Sequence, residues 1–450
     1  MKRLQKLFIL FIDLLLVIAI AAAIMPTCLV LIVARKKNVP DSKNLNLFIV
    51  FVAHSYRSLK TYGHEQLIIQ QGLGGFFKKV YAFYPFLGAN PVDKISAPDG
   101  KIQEYALDEH NVFLEVHQSF IRGLSLLPRS NFLLSQWITL LRIKKFIIDN
   151  RVSIIRGSEP FLTGSYSYLL SRLAGRPFAL RIGSNFDLLY ENGSFIYKKI
   201  FKLHFVEKLI ERFVLSRADL VCAATQNYLG YVLANGCRPE KAVLIRFGNI
   251  IDPVHLADPK TRPPLPQSCE FAHNPFGIYV GRLTKIKHAD HLINVAAEVK
   301  KLFPSIVIAL IGDGDIVEAM KDEAAKMGVQ NNVLFLGKQK QGFIASLLPH
   351  AAAYLAPHSG RSLVEAAYAG IPLIAYDWEW HSELVQHQIT GELVPFKDWH
   401  AMAQSFCRIL SDPLYARKLG DNARAVVMKM MDQKKIQSLE RAKYLEILQG

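Results

Sequence analysis

The sequence predicts an α/β protein with two doubly wound parallel-sheet domains, a cleft between them, and an apolar segment ahead of both that enters a membrane. Three observations carry this. Short apolar runs alternate with helix-period segments from Leu47 to Ala223, and again from Gly277 to Ala375, the pattern of parallel strands joined by crossover helices. Between the two series, Asp252 to Pro275 holds Pro253, Pro259, Pro263, Pro264, Pro266 and Pro275 with little periodicity, which reads as a linker. Finally, Leu7 to Val33 is apolar almost throughout, broken mainly by Asp13, Pro26 and Thr27, and is long enough as a helix to cross a bilayer core.

The apolar segment comes first. Lys2, Arg3 and Lys6 precede it and Arg35, Lys36 and Lys37 follow it. A spanning helix is basic mainly on its cytoplasmic side, so equal basic flanks leave its orientation open. The conflict disappears if both ends face the cytoplasm. Pro26 removes a backbone donor, so a helix–break–helix hairpin that dips into one leaflet is the preferred reading. A simple spanning anchor is second. A cleaved signal peptide is least favoured, because the apolar run continues past Ala21–Ala23 to Val33. Phe11-Ile12-Asp13, Pro26 and Arg35-Lys36-Lys37 together resemble the re-entrant membrane helix of monotopic phosphoglycosyl transferases, enzymes that act on polyprenyl phosphate.

In the first series, Leu47–Ala53, Val80–Tyr84, Val112–Val116, Val152–Ile155, Phe178–Ile182 and Leu220–Ala223 read as strands. Helices are expected at Glu65–Phe77, Phe132–Asp149, Phe161–Ala174 and Tyr197–Ser216. The second series gives strands at Gly277–Val280, Ile306–Ile311, Val333–Leu336, Ala352–Ala356 and Pro372–Ala375, and a final amphipathic helix at Lys434–Leu448. The expected organisation is a membrane anchor over 1–43, a first domain over 44–252, a linker over 253–275, a second domain over 276–430, and a C-terminal helix over 431–450 that can pack back on the first domain.

Composition sets bounds. The chain of 450 residues suits two cores, and 51% apolar with 20% charged residues excludes a disordered or collagen-like chain. A mean hydropathy of +0.17 fits one membrane segment on a globular body. The net charge of +16 favours anionic partners. Its basic residues are spread along the chain rather than interleaved with aromatics on one face, so nucleic acid ranks low. Cys28, Cys222, Cys237, Cys269 and Cys407 form no CxxC or Cys/His cluster, which argues against structural zinc and a disulfide framework and for a reducing compartment.

The chemistry-bearing motifs lie mostly in the second series. Gly281-Arg282-Leu283 follows its first strand, with Lys287 close behind. Glycine permits close approach, and the two cations can converge on one diphosphate; a solvated basic turn is the bland alternative. Gly312-Asp313-Gly314-Asp315 reads as a glycine turn ending a strand rather than a metal-binding DxD pair. Ser359-Gly360-Arg361-Ser362-Leu363-Val364-Glu365 leads into a helix, where free N–H groups and the positive dipole end favour a phosphate. Glu365 can accept ribose hydroxyls or simply complement the dipole.

Together, Gly281–Lys287, Gly312–Gly314, Phe335-Leu336-Gly337 and Ser362–Pro372 resemble the C-terminal domain of glycosyltransferase family 4, of the GT-B fold, with two Rossmann-like domains. The resemblance implies that Arg282 and Lys287 bind the donor diphosphate, that Gly281, Gly312, Gly314, Gly360, Ser362, Leu363 and Val364 line the donor site, and that Glu365 binds ribose. It also implies retention of anomeric configuration, no dedicated metal and no cofactor beyond a nucleoside-diphosphate sugar as donor. The family usually carries a glutamate eight positions before the one on the helix; here that position is Pro357, and His358 is either its replacement or a loop histidine without a role. A histidine usual after the strand at Phe178–Ile182 is likewise missing. Arg181 there can stabilise developing charge or pair with a carboxylate. Gly63, Glu159 and Asn249 are the acceptor-side cleft candidates, and Asp377–Glu383 either helps close the cleft or is a surface loop, for which Trp378 and Trp380 would be unusual.

Tyr197–Arg217 interleaves Lys198, Lys199, Lys202, Lys208, Arg212 and Arg217 with Phe201, Leu203, Phe205, Leu209, Ile210 and Phe213. Such a helix can lie on an anionic membrane or pack into the core with a solvated basic face. The expected activity is transfer of a sugar to a lipid-linked, polyprenyl-diphosphate glycan intermediate of a bacterial surface polysaccharide, at the cytoplasmic face of the inner membrane. The alternatives are another lipid or a soluble acceptor, or an inactive membrane scaffold.

Overall fold

The computed structural model describes residues 12, 15–16, 44–51, 55–61, 65–85, 101–116, 126–193, 204–246, 251–261, 264–265 and 269–449. The apolar segment Leu7–Val33, with Asp13 and Pro26, lies almost entirely outside these residues. Gly63, Lys198, Lys199, Lys202 and Asn249 lie outside them too. Among the described residues no helix is long and apolar enough to cross a membrane.

The first sheet contains β1 (Asn46–Val50), β2 (Lys79–Phe83), β3 (Ile102–Ala106), β4 (Asn111–Val116), β5 (Ile154–Gly157), β6 (Phe178–Ile182), β7 (Leu220–Ala223) and β8 (Ala242–Leu244). Its order is β3-β4-β2-β1-β5-β6-β7-β8, and all neighbours run parallel except the β3–β4 hairpin. The second sheet contains β9 (Phe276–Val280), β10 (Val307–Ile311), β11 (Val333–Gly337), β12 (Ala353–Ala356), β13 (Leu373–Tyr376) and β14 (Gly391–Val394), in the order β11-β10-β9-β12-β13-β14. In both sheets the order reverses beside the first strand, at β1/β5 and at β9/β12, so the loops leaving those strands diverge and open a crevice. The central strands are buried on both faces, as β9 shows along its whole length, which explains why they read as continuous apolar runs.

Sequence and structure differ at identifiable places. The helix expected over Glu65–Phe77 ends at Gly72, because Leu73, Gly74 and Gly75 adopt positive φ. β3 escapes sequence reading because it is an edge strand with a half-exposed, partly charged pattern. β8 is only three residues long, and β14 begins Gly391-Glu392, so neither forms an apolar run that sequence would show. The proline-rich stretch is not without structure: Pro253–Leu256 forms a helical turn capped by the Asp252 carboxylate.

Five helices position the site and join the two sheets: α1 (Leu162–Ala174), α2 (His204–Arg217), α3 (Gln226–Ala234), α4 (Arg361–Ala369) and α5 (Gln433–Gln449). α5 crosses from the second sheet to the first. Its Ile436, Tyr444 and Leu448 join Leu47, Ile49 and Val80 in one apolar cluster, and the Tyr444 ring meets Phe77 edge-on at 5.4 Å. Beneath this contact lies a charged knot. Glu440, fully buried, is 2.6 Å from Arg181 and 3.6 Å from Arg156, and Arg156 also donates to the Tyr444 hydroxyl at 2.9 Å and to Gln71 at 2.7 Å.

Candidate functional site

The loops leaving β9, β10 and β12 border a cleft of about 760 Å³, closed on the other side by Phe51, Ser58, Leu59 and Leu67 of the first domain. Gly281, Arg282, Gly312, Gly314 and Arg361 line it together with Lys338. Two glycines make the loops fit. A Cβ on Gly312, whose φ is +145°, would lie 1.8 Å from the Gly281 carbonyl oxygen, and one on Gly314 would lie 1.8 Å from that of Leu283. The Gly-Asp-Gly turn is therefore a packing device. Asp313 is exposed and 3.6 Å from Lys338. Among the described residues no group of three His, Cys, Asp or Glu side chains could hold a metal.

Arg282 is exposed to the cleft. Lys287 is half-buried, and burial pulls its ammonium down to about 8, with Glu379 opposing the shift and Arg282 adding to it. These cations sit where the β9/β12 reversal places a ligand. Opposite them, α4 begins at Gly360 with no side-chain cap, which leaves its first N–H groups available. The Tyr354 hydroxyl, 3.0 Å from the Val280 carbonyl and 2.8 Å from Ser362 Oγ, ties the end of β9 to the start of this helix. Leu363 and Val364 put their side chains in the core, so only their backbone can face a ligand. Glu365 is buried, with Arg361 Nε 3.0 Å from one carboxylate oxygen and His255 Nε2 4.0 Å from the other.

His358 is buried, its Nδ1 2.9 Å from the Ile286 carbonyl and its Nε2 3.5 Å from Glu379. The loop after β13 supplies residues whose roles are not written in any short motif. His381 Nε2 accepts the Ser359 N–H at 3.1 Å, and Nδ1 lies 2.9 Å from the Tyr376 carbonyl. Full burial holds this imidazole down at about 4, so it is neutral and braces the loop that opens α4. Glu383 accepts the Asn227 N–H at 3.0 Å and lies 2.5 Å from Arg246, and Glu379 accepts the Tyr228 hydroxyl at 3.0 Å. These contacts link the second domain to the N-terminus of α3. The unusual pair of tryptophans in this run was the available signal: Trp380 is fully buried, and Trp378 stacks on Phe396 at 3.9 Å.

The first-domain candidates face elsewhere. Glu159 is buried, and its carboxylate accepts the N–H groups of Phe161, at 2.5 Å, and of Thr163, at the start of α1. Arg181 pairs with Glu440 and donates to the Arg246 carbonyl at 3.3 Å. On α2, Phe205, Leu209 and Phe213 form an exposed stripe, while Val214 and Leu215 face the core. Lys208 is held by Asp187 and Asn235, each at 2.6 Å.

Residues 267–426 match the model of the family described as "Glycosyl transferases group 1". The second half of the chain thus carries a glycosyltransferase group 1 domain. Among curated proteins, the chain is 24% identical over 263 residues to the alpha-D-kanosaminyltransferase of Streptomyces kanamyceticus, which covers 57% of this chain and 67% of that protein. It is 26% identical over 178 residues to the GDP-mannose-dependent alpha-(1-6)-phosphatidylinositol monomannoside mannosyltransferase of Mycolicibacterium smegmatis, covering 36% of this chain and 46% of that one. For other curated relatives the matched share of their length is smaller still, 40% and 45% in two cases. The crystal structure of Anabaena Alr3699/HepE in complex with UDP-glucose superposes with a TM-score of 0.64 at 17% identity, over 90% of this chain and all of that one. The fold is GT-B-like, with two parallel-sheet domains.

Proposed function

We propose that this chain is a retaining glycosyltransferase of family 4 type that moves a sugar from a nucleoside-diphosphate sugar to a lipid-linked acceptor, a polyprenyl-diphosphate glycan intermediate of a bacterial surface polysaccharide. The observation that carries the donor half is the cleft at the β9/β12 reversal, with Arg282 exposed in it, Lys287 beside it and the uncapped start of α4 across from them. In the reaction the bond between the anomeric carbon and the diphosphate oxygen breaks, and the acceptor hydroxyl adds on the same face. Its proton passes to the departing diphosphate. Negative charge grows on that diphosphate, and Arg282, Lys287 and the Gly360–Val364 N–H groups would stabilise it. This route uses no enzyme nucleophile and no dedicated metal.

Two features support the lipid half. Leu7–Val33 is an apolar segment with basic flanks, and Phe205, Leu209 and Phe213 stand exposed beside Arg212 and Arg217 on α2, an arrangement suited to an anionic bilayer. The catalytic domains would then face the cytoplasm at the inner membrane. Incubating the purified protein and membranes with labelled UDP-, GDP- and ADP-sugars tests both halves. Label is expected in the organic-extractable fraction; transfer only to soluble acceptors would contradict the lipid assignment. Pro357, standing where the family usually has a glutamate, favours one alternative, an inactive scaffold. In that case Arg282→Ala would leave cellular function intact.

A further inference from the structure

The loop after β13 contains a carboxylate in an unusual state. Glu379 has φ +50°, the left-handed region that glycine tolerates and other residues rarely enter. Its side chain is only 4% exposed. One oxygen, Oε2, is engaged by the Tyr228 hydroxyl at 3.0 Å and by His358 Nε2 at 3.5 Å. The other, Oε1, is buried with no hydrogen-bond donor. Burial raises the carboxyl, but His358, Lys287 and the Tyr228 hydroxyl outweigh it and hold it below the usual carboxylate range. A buried ionised oxygen without a donor is costly, and strained backbone at such a place marks a functional constraint.

We infer that Glu379 Oε1 accepts a hydroxyl of the transferred sugar, making Glu379 a specificity-determining residue for the donor. The inference rests on the proposed donor site. Glu379 is joined through His358 to the Ile286 carbonyl, one residue before Lys287, and in that reading Lys287 holds the diphosphate. The sugar is joined directly to the diphosphate, so its hydroxyls would lie near the Ile286–Lys287 loop to which the Glu379–His358 pair is tied. His358 then fixes the carboxylate and the Ile286 carbonyl fixes His358, which pre-positions the acceptor atom on rigid elements. The chain thereby regains, from a different loop, the acid missing at Pro357. A site built to take a hydroxyl discriminates strongly against a sugar that lacks it.

The test compares wild type, Glu379→Gln, Glu379→Gly and Tyr228→Phe by calorimetry and by hydrolysis kinetics. The ligands are UDP, GDP and ADP, their glucose conjugates, and the 2-, 3-, 4- and 6-deoxyglucose conjugates of whichever base binds. Glycine suits the left-handed backbone, so Glu379→Gly should fold even if Glu379→Gln does not. Both Glu379 variants should keep the affinity for the free nucleotide within about threefold and lose at least about tenfold in kcat/KM for the sugar conjugate. One deoxy conjugate should cost wild type a similar factor and cost the Glu379 variants nothing further. Equal losses in Glu379→Gln and Tyr228→Phe, with free-nucleotide affinity reduced in both, would make Glu379 an interdomain strut and overturn the inference. If no free nucleotide binds wild type, the donor reading itself fails and takes this inference with it.

Discussion

At the carboxyl ends of the second sheet, Arg282 and Arg361 line an open cleft; at the ends of the first, Arg156, Glu159 and Arg181 turn into the interior. Charges at similar places on similar sheets therefore have opposite fates. The difference comes from the elements packed against each set of strand ends. α5 arrives from the far end of the chain and places Glu440 between Arg156 and Arg181, while Glu159 folds back onto α1. Among the described residues no comparable element caps the β9 and β10 loops. One domain uses its strand-end charges to hold itself to α5, and the other leaves them open to a ligand.

The largest effect should come from breaking the buried knot. Glu440→Ala leaves two arginines without their shared counter-charge, and removing one partner of a buried ion pair costs about 3–5 kcal/mol. Chemical denaturation should show this loss; a stability unchanged from wild type would mean that α5 is held by its apolar contacts alone. The same substitution should leave nucleotide affinity in the folded protein nearly unchanged, which separates the two regions.

His381→Ala removes the acceptor of the Ser359 N–H, at an expected cost of about 1–3 kcal/mol. The pH dependence is diagnostic. His381 is neutral in the fold, with its ionisation at about 4 against the ordinary 6.5, so the unfolded chain takes up its proton first. Its contribution to stability is complete above pH 6.5 and declines as pH falls from 6.5 towards 4. The alanine variant should show a shallower decline across that window, measured by thermal unfolding.

Much of this contrast is legible in the sequence, and unevenly so. Central strands such as Phe178–Ile182 and Leu220–Ala223 announce themselves because both faces are buried. The Gly281–Lys287 and Ser359–Glu365 loops are also readable as the turns that follow β9 and β12, because a turn depends on local backbone and on neighbours in sequence. Arg181 is not, since its partner Glu440 stands 259 positions away, and nothing near Arg181 says which of its two expected roles prevails. Glu379 and His381 lie between these cases. The Asp377–Glu383 run looks unusual in sequence, but only the fold brings His381 to Ser359 and Glu379 to His358.

Two smaller effects sharpen the comparison. Lys287 loses its charge near pH 8 when no ligand is present, and an anion restores it. Nucleoside-diphosphate affinity should therefore be flat below about pH 7 and fall as pH rises past about 8, by at most about tenfold per unit. Lys287→Arg should abolish that decline, because arginine stays charged; titration calorimetry from about pH 6.5 to about 9.5 reads it. Least of all should be the effect of Phe205→Ser and Leu209→Ser together on stability, within about 0.5 kcal/mol per exposed site. Binding to vesicles of anionic phospholipid should nevertheless weaken severalfold, as sedimentation would show; unchanged binding would move the membrane contact elsewhere.

The central claim is that the cleft at the β9/β12 reversal receives a nucleoside diphosphate through Arg282. Calorimetric titration of UDP, GDP and ADP into wild type and Arg282→Ala tests it most directly. One of the three should bind wild type with a saturable isotherm, and the variant should bind it at least about tenfold more weakly while unfolding at the same temperature. Equal affinity in the two proteins, or no binding of any of the three to wild type, would contradict it.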